Sequence, residues 1–328
     1  MKTLIPSILG GILGIGLVLV GAILTLRSPQ SRDLPFEPYA AETERSEDTV
    51  PRLCSEISRR QLPEDATGPF DCAQNNTLYV TGKMRILALD SRANILWEQE
   101  TQAPATALAA DPADSSLWFV AAGNLVHRTA DAQTKTLPIP AENNQLITAI
   151  AVRENRIALA DAANRQILIL DKLGNLIRRF GKNTDHNDIE LILPSLHLDL
   201  LWTPDGRLLI TNPGRQRVIR VRADGTVLST WGHSSIEPDG FCGCCNPVHI
   251  LRLKDGSIVT SEKGLSRVKI YSNDGVFMGF VDTPSNLKRS PGSTPVAYRI
   301  AASADGRIIH LIDPLTATLR SYKRRPSF

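Results

Sequence analysis

From Arg156 onward the chain alternates short apolar runs with polar turns, and the whole pattern returns at a nearly constant interval. "RIALADAANRQILILDKLGNLIRRFG" begins at Arg156, "RLLITNPGRQRVIRVRADGTVLSTWG" at Arg207, "SIVTSEKGLSRVKIYSNDGVFMGFV" at Ser257 and "RIIHLIDPLTATLRSYKR" at Arg307. The starting points lie 51, 50 and 50 residues apart. Runs rich in Ile, Val and Leu that are too short for helices and bounded by turn residues read as strands. Asp205-Gly206, Asp255-Gly256 and Asp305-Gly306 precede the first run of their copies, while Asp224-Gly225 and Asp274-Gly275 follow the second. Asp-Gly supplies the backbone conformation of a tight hairpin, so successive runs pair antiparallel.

Two weaker copies lie upstream, "TLYVTGKMRILALDSRANILWEQE" and "SLWFVAAGNLVHRTADAQTKTLPI", which brings the number to six. A period near fifty with four strands to a copy predicts the blade of a propeller. The expected fold is therefore all-β, a six-bladed β-propeller over residues 51–328. The last copy ends after its third strand, because "RRPSF" leaves no room for a fourth. The segment near "PRLCSEISRR" is expected to supply that strand and close the ring, since an unpaired edge invites association.

The repeat, a Gly turn and a strand followed by an acid, an Asn and an Arg, resembles that of the NHL-repeat propellers, which are usually six-bladed. Asp161 and Asn164 match it in blade three, where Gln166 replaces the arginine; blade four has Asn212 and Arg217. Blade five has Glu262 and Arg267, and blade six has Asp313 with Thr318. The resemblance spans roughly residues 65 to 325 and specifies fold far more than function, because such rings serve enzymes, transport proteins and binding modules alike.

Ahead of the repeats, "TLIPSILGGILGIGLVLVGAILTL" runs from Thr3 to Leu26 without a charge. About 20 apolar residues cross a bilayer core, and a cleaved signal has a shorter apolar region. Residues 1–26 are thus expected to be a single transmembrane helix, with residues 4–26 in the membrane. With almost nothing before the span, the body is expected outside the cytoplasm, on the periplasmic or extracellular side. Residues 27–50 are polar, with three prolines, and read as a linker.

Composition is that of an ordinary globular chain: 328 residues, 42% hydrophobic and 22% charged. The net charge of +3 lies in the first 32 residues, with Lys2, Arg27 and Arg32 and no acid. Removing those three from the 37 basic residues leaves 34, against 34 acidic ones. So balanced a body lacks the concentrated basic face that nucleic acid requires.

Three of the five cysteines crowd into "GFCGCCNPVH": Cys242, Cys244 and Cys245. That stretch joins the outer strand of blade four to the inner strand of blade five, at the mouth of the channel. Glu262 and Lys263 in "SEKGLS" are expected beside it, with His186 and His233 in loops of the same face. Three readings of the thiols stand open. They could ligate a transition metal with Glu262, His233 or His186 completing the shell. Cys242 and Cys245 make a C-x-x-C pair with Cys244 inside it, and such close thiols could form a redox-active disulfide favoured by Lys263. Or a structural disulfide could brace the loop, with Cys54 or Cys72 as further partners. Cys54 and Cys72 would pair poorly with each other, one lying on an outermost strand and the other on an innermost one.

Among the other histidines, His249 and His197 are expected on inner strands, in a structural role rather than a channel-facing one, and His127 and His310 within blades. No Ser-His-Asp order, phosphate loop or paired carboxylate stands out, which leans away from an enzyme. The expected function is binding of a protein or small-molecule ligand at the cysteine-bearing face. The alternatives are a scaffold whose cysteines only brace a loop, and a metal-assisted hydrolase or lyase using Glu262.

Overall fold

The computed structural model describes residues 49–140, 144–181, 189–287 and 296–325. The expected membrane span, residues 1–26, lies outside them, as does almost all of the linker. Among the described residues no helix is long and apolar enough to cross a membrane.

Six four-stranded antiparallel sheets follow one another along the chain. Lettered a to d from the inside outward, blade one is Phe70–Cys72, Leu78–Thr81, Arg85–Leu89 and Ile95–Glu100. Blade two is Ala107–Ala110, Leu117–Ala121, Asn124–Arg128 and Thr134–Pro138, and blade three is Ile147–Arg153, Arg156–Asp161, Gln166–Asp171 and Leu176–Gly181. Blade four is Leu200–Trp202, Leu208–Asn212, Arg217–Val221 and Val227–Trp231, and blade five is His249–Arg252, Ile258–Ser261, Val268–Tyr271 and Phe277–Phe280. Blade six has three strands of its own: Arg299–Ala302, Ile308–Asp313 and Thr318–Arg324. Each strand a touches the next, and that of blade six touches that of blade one, so the sheets form a closed ring. This is the six-bladed β-propeller that the fifty-residue period predicts.

The middle strands read as unbroken apolar runs because both of their faces are covered. Ile157 and Leu159 pack toward blade two, while Ala158 and Ala160 on the same strand pack toward blade four. Such sandwiching repeats at all six junctions between blades. The period-two geometry of a strand thus sends alternate residues into different cores.

Strand d of blade six is Cys54–Gln61, paired antiparallel from Cys54↔Arg324 to Gln61↔Thr318. The segment leading into it also ties down blade five. Leu53 N–H donates to Phe280 O at 2.8 Å, and Phe280 N–H donates to Pro51 O at 3.0 Å. Gly279, at φ +151°, allows this crossing: a Cβ there would meet Pro51 O at 2.4 Å. Arg52 pairs with the buried Asp282 at 2.9 Å, and Tyr322 donates to the same carboxylate at 3.0 Å. The closing strand is therefore anchored on two blades.

His310 lies in strand b of blade six at 5% exposure, with Nδ1 2.9 Å from Ser321 Oγ. Burial holds its pKa down to about 4. The unfolded side chain titrates near 6.5, so the folded state resists protonation. This contribution to stability is complete above about pH 6.5 and is lost as pH falls through about 4. At about pH 5 roughly 2 kcal/mol of it should be gone. Denaturant unfolding at neutral pH and at about pH 5 should show that His310→Gln lacks this component; an unchanged pH dependence would show that His310 does not carry it.

Candidate functional site

Residues 233–247 make the long connection from blade four into blade five, and three side chains around strand c of blade five hold it through main-chain carbonyls. Arg267 donates to Ile236 O at 2.6 Å, Tyr271 to Asp239 O at 3.2 Å, and Lys269 Nζ to Gly240 O. Phe241, fully buried, drops between the two blades against Trp231 and Tyr271. Glu262 lies underneath, with Oε1 2.6 Å from Lys269 Nζ, and neither side chain has any exposed surface. The carboxylate expected at the mouth is instead the counter-ion of the lysine that grips the loop.

The cysteines follow directly after this plug. Asn246 fastens them to the b-to-c loop of blade five: its Nδ2 donates to Cys242 O at 2.6 Å and Lys263 O at 3.0 Å, and its Oδ1 accepts from Lys263 N–H at 2.9 Å. Lys263 Nζ reaches Ser195 Oγ at 3.2 Å, across the connection into blade four. Cys244 is exposed and Cys245 is buried, their sulfurs 3.2 Å apart, and all five cysteines are free thiols. Burial opposes ionisation of Cys245, but hydrogen bonds from Ser195 and Cys244 and the Lys263 ammonium outweigh it and lower its pKa. The hydrogen bond to Cys245 raises the pKa of Cys244, which is thereby the protonated partner.

The inner strands of all six blades line a cavity of about 590 Å³ that runs from Asp199, His249 and Arg299 to the a-to-b turns at Pro204, Lys254 and Ala304, on the face opposite the cysteines. Its charged layer comes from equivalent positions. Asp199, His249 and Arg299 stand fifty residues apart at the start of three consecutive blades. His249 Nδ1 lies 3.2 Å from Asp199 Oδ2, and His249 Nε2 lies 3.0 Å from Arg299 Nη1. A guanidinium only donates, so Nε2 must accept, and the proton sits on Nδ1 facing the carboxylate. Burial, assisted by Arg299, lowers the His249 pKa and keeps the ring neutral. Asp71 of blade one lies two residues further along its inner strand than Asp199 does, at the place of Leu201, but it is bonded in the same way. Each accepts from the amide of its own successor and from that of the next blade's strand a, Ala110 for Asp71 and Ile250 for Asp199. Burial first, then the charge of Asp199, raises the Asp71 pKa to about 6. His197, above this layer, is lowered to about 4 by burial, then by His249, Lys263 and Arg299.

The structure brings together Cys244, Cys245 and Lys263 of the expected residues. His233 is exposed and 3.8 Å from Asp239, Glu262 is buried, and His186 lies outside the described residues. Among the described residues no three His, Cys, Asp or Glu side chains gather as a cation site. Cys54 is buried in the closing strand and Cys72 lines the channel, each thiol pushed up to about 12 by burial. His127 stacks on Trp118 at 4.1 Å, a structural role like that of His310. Asp161 and Asn212 hold loops: Asp161 accepts from Leu146 N–H at 3.1 Å and Asn212 from Ile192 N–H at 2.9 Å. Asp199, Arg299, Ser195 and Asn246 were not singled out in the sequence, although the repeat register aligns the first two with His249.

No family model and no curated protein matches this chain. Among solved structures, a streptogramin B lyase superposes with a TM-score of 0.57 at 14% identity, over 82% of this chain and 98% of the other. A catalytically inactive virginiamycin B lyase from Staphylococcus aureus with quinupristin gives 0.54 at 11%, over 83% and 99%. A chain of the mitotic checkpoint complex gives 0.56 at 12%, over 83% and 95%. The chain is a six-bladed propeller. Identities this low establish the shared fold alone.

If Glu262 serves to neutralise Lys269, Glu262→Gln strands a buried ammonium and should cost about 3–5 kcal/mol. Denaturant unfolding of the full-length chain measures this, and adding Lys269→Met to the same chain should recover part of the loss. A stability change within about 0.5 kcal/mol for Glu262→Gln would show that the pair does not brace the loop.

Proposed function

We propose that this chain is a membrane-anchored, extracytoplasmic propeller of NHL type that binds a ligand or protein partner at the cysteine-bearing mouth of its channel. The observation that carries the reading is convergence. Lys263, Ser195 and the Cys244–Cys245 pair meet at one face, and the Asp199–His249–Arg299 layer separates them from the 590 Å³ cavity on the other side. Here the loops are fixed by buried ion pairing and by Asn246, so the mouth is formed before anything binds. The apolar, uncharged stretch from Thr3 to Leu26 supports the anchor.

Two competing readings fare less well. A scaffold whose cysteines merely brace the loop is disfavoured, because Phe241, Arg267, Lys269 and Tyr271 already do the bracing and the thiols are free. A hydrolase or lyase working through Glu262 is disfavoured by the complete burial of that carboxylate.

Two measurements test the proposal. A membrane-impermeant maleimide added to intact cells should label Cys244 in the wild-type chain and lose that label in Cys244→Ser; labelling only after lysis would place the propeller in the cytoplasm. A photoreactive residue at Leu265, on the cysteine face, should capture the bound partner, whereas one at Asp274, in a turn at the opposite end of blade five, should not. Equal capture at both positions would refute a face-specific site.

A further inference from the structure

Outside the clamp and the charged layer, one pair of reactive groups stands at the surface of the long loop. The sulfurs of Cys244 and Cys245 touch at 3.2 Å without being bonded. We propose that Cys244 and Cys245 form a thiol–disulfide exchange site, taking electrons from or giving them to a disulfide-bearing molecule that docks at this mouth. This deepens the binding reading of the face by naming the class of ligand, and it rests on that face being accessible.

Adjacency is the first support. Consecutive Cα atoms are about 3.8 Å apart, below the roughly 4.4–6.8 Å usual for a disulfide. A bond between such neighbours is strained, and strained disulfides are the readily reduced ones that serve exchange rather than bracing. Environment is the second. Cys244 is exposed, so an incoming disulfide can reach it, while Cys245 lies beside Ser195 and the Lys263 ammonium, which favours its thiolate. Contrast with the two thiols outside this loop is the third: Cys54 has no exposed surface, and Cys72 lines the channel with its pKa pushed up to about 12.

The steps balance with a disulfide as the oxidant. Cys244 Sγ attacks one sulfur of the incoming disulfide as its proton passes to the Cys245 thiolate. The disulfide bond breaks, and the first leaving thiolate recovers that proton. Cys245 Sγ, again a thiolate, then attacks Cys244 Sγ in the mixed disulfide and displaces the second thiolate, which solvent protonates. Two electrons move from the cysteine pair to the incoming disulfide, and one bond forms between Cys244 and Cys245. Reduction runs the same steps in reverse. Lys263 is a positioning residue that favours the resolving thiolate.

The test equilibrates full-length chain with mixtures of reduced and oxidised glutathione, alkylates the remaining thiols and measures intact mass. Cys242→Ser should still lose two alkylatable thiols and become lighter by two hydrogens. Cys245→Ser should trap one glutathione on Cys244, and Cys244→Ser should neither form the bond nor trap glutathione readily. Lys263→Gln should give the same products several-fold more slowly at neutral pH, with its rate profile displaced to higher pH. The proposal fails if Cys242→Ser keeps both thiols at every glutathione ratio, or if Cys242 proves to be one of the bonded pair. It fails also if Cys245→Ser traps nothing, and an unchanged rate profile in Lys263→Gln would remove that residue's role. Capture at Leu265 that survives in Cys244→Ser and Cys245→Ser would leave the binding face standing while refuting exchange.

Discussion

A ring of sheets holds only if the last sheet is completed, and here the completing strand comes from the other end of the propeller sequence. Cys54–Gln61 adds the outermost strand to blade six, and the residues just before it hydrogen-bond to blade five. An open ring would expose the edge of Thr318–Arg324 and loosen the junction on which blade one packs. It would also separate the two sides of the channel, because Arg299 of blade six donates to Thr67 O in the approach to blade one. Closure thus ties the charged layer of blades four to six to blade one.

On that frame a second constraint shapes the mouth. The connection into blade five is long, and a long loop is ordinarily mobile. This one is held by a fully buried ion pair, Glu262 and Lys269, and by the plug of Phe241. A buried pair gains little net stability over apolar packing, but removing either partner is costly. Its effect here is positional. Lys269 and Arg267 reach loop carbonyls, so the backbone leading into Cys242, Cys244 and Cys245 has a fixed course, and Asn246 fixes its far end. Rigid support of this kind makes a 3.2 Å contact between two sulfurs chemically meaningful.

Much of the fold was legible in the sequence because a repeat states its own register. The Asp-Gly turns and apolar runs placed four blades, and the missing last strand pointed to "PRLCSEISRR" as its replacement. Less of the site was legible, for two physical reasons. Glu262 could be placed at the end of a strand near the mouth, but its direction depends on Lys269 and on a loop draped over both, which no local pattern records. Asp199, His249 and Arg299 differ in chemistry, so they do not look like a repeat although they occupy one repeat position. Aligning the blades by number would have found them. Ser195 has no such signal, since its role exists only where two loops of different blades meet.

Ring closure is tested most directly by amide hydrogen exchange on the full-length chain, read by mass spectrometry. The amides of Cys54–Gln61 that donate to Thr318–Arg324 should be protected and should lose protection together with those of Arg156–Asp161, a strand buried on both faces. Rapid, independent exchange of Cys54–Gln61 while Arg156–Asp161 stays protected would show a propeller that stands without its closing strand, and would contradict this account.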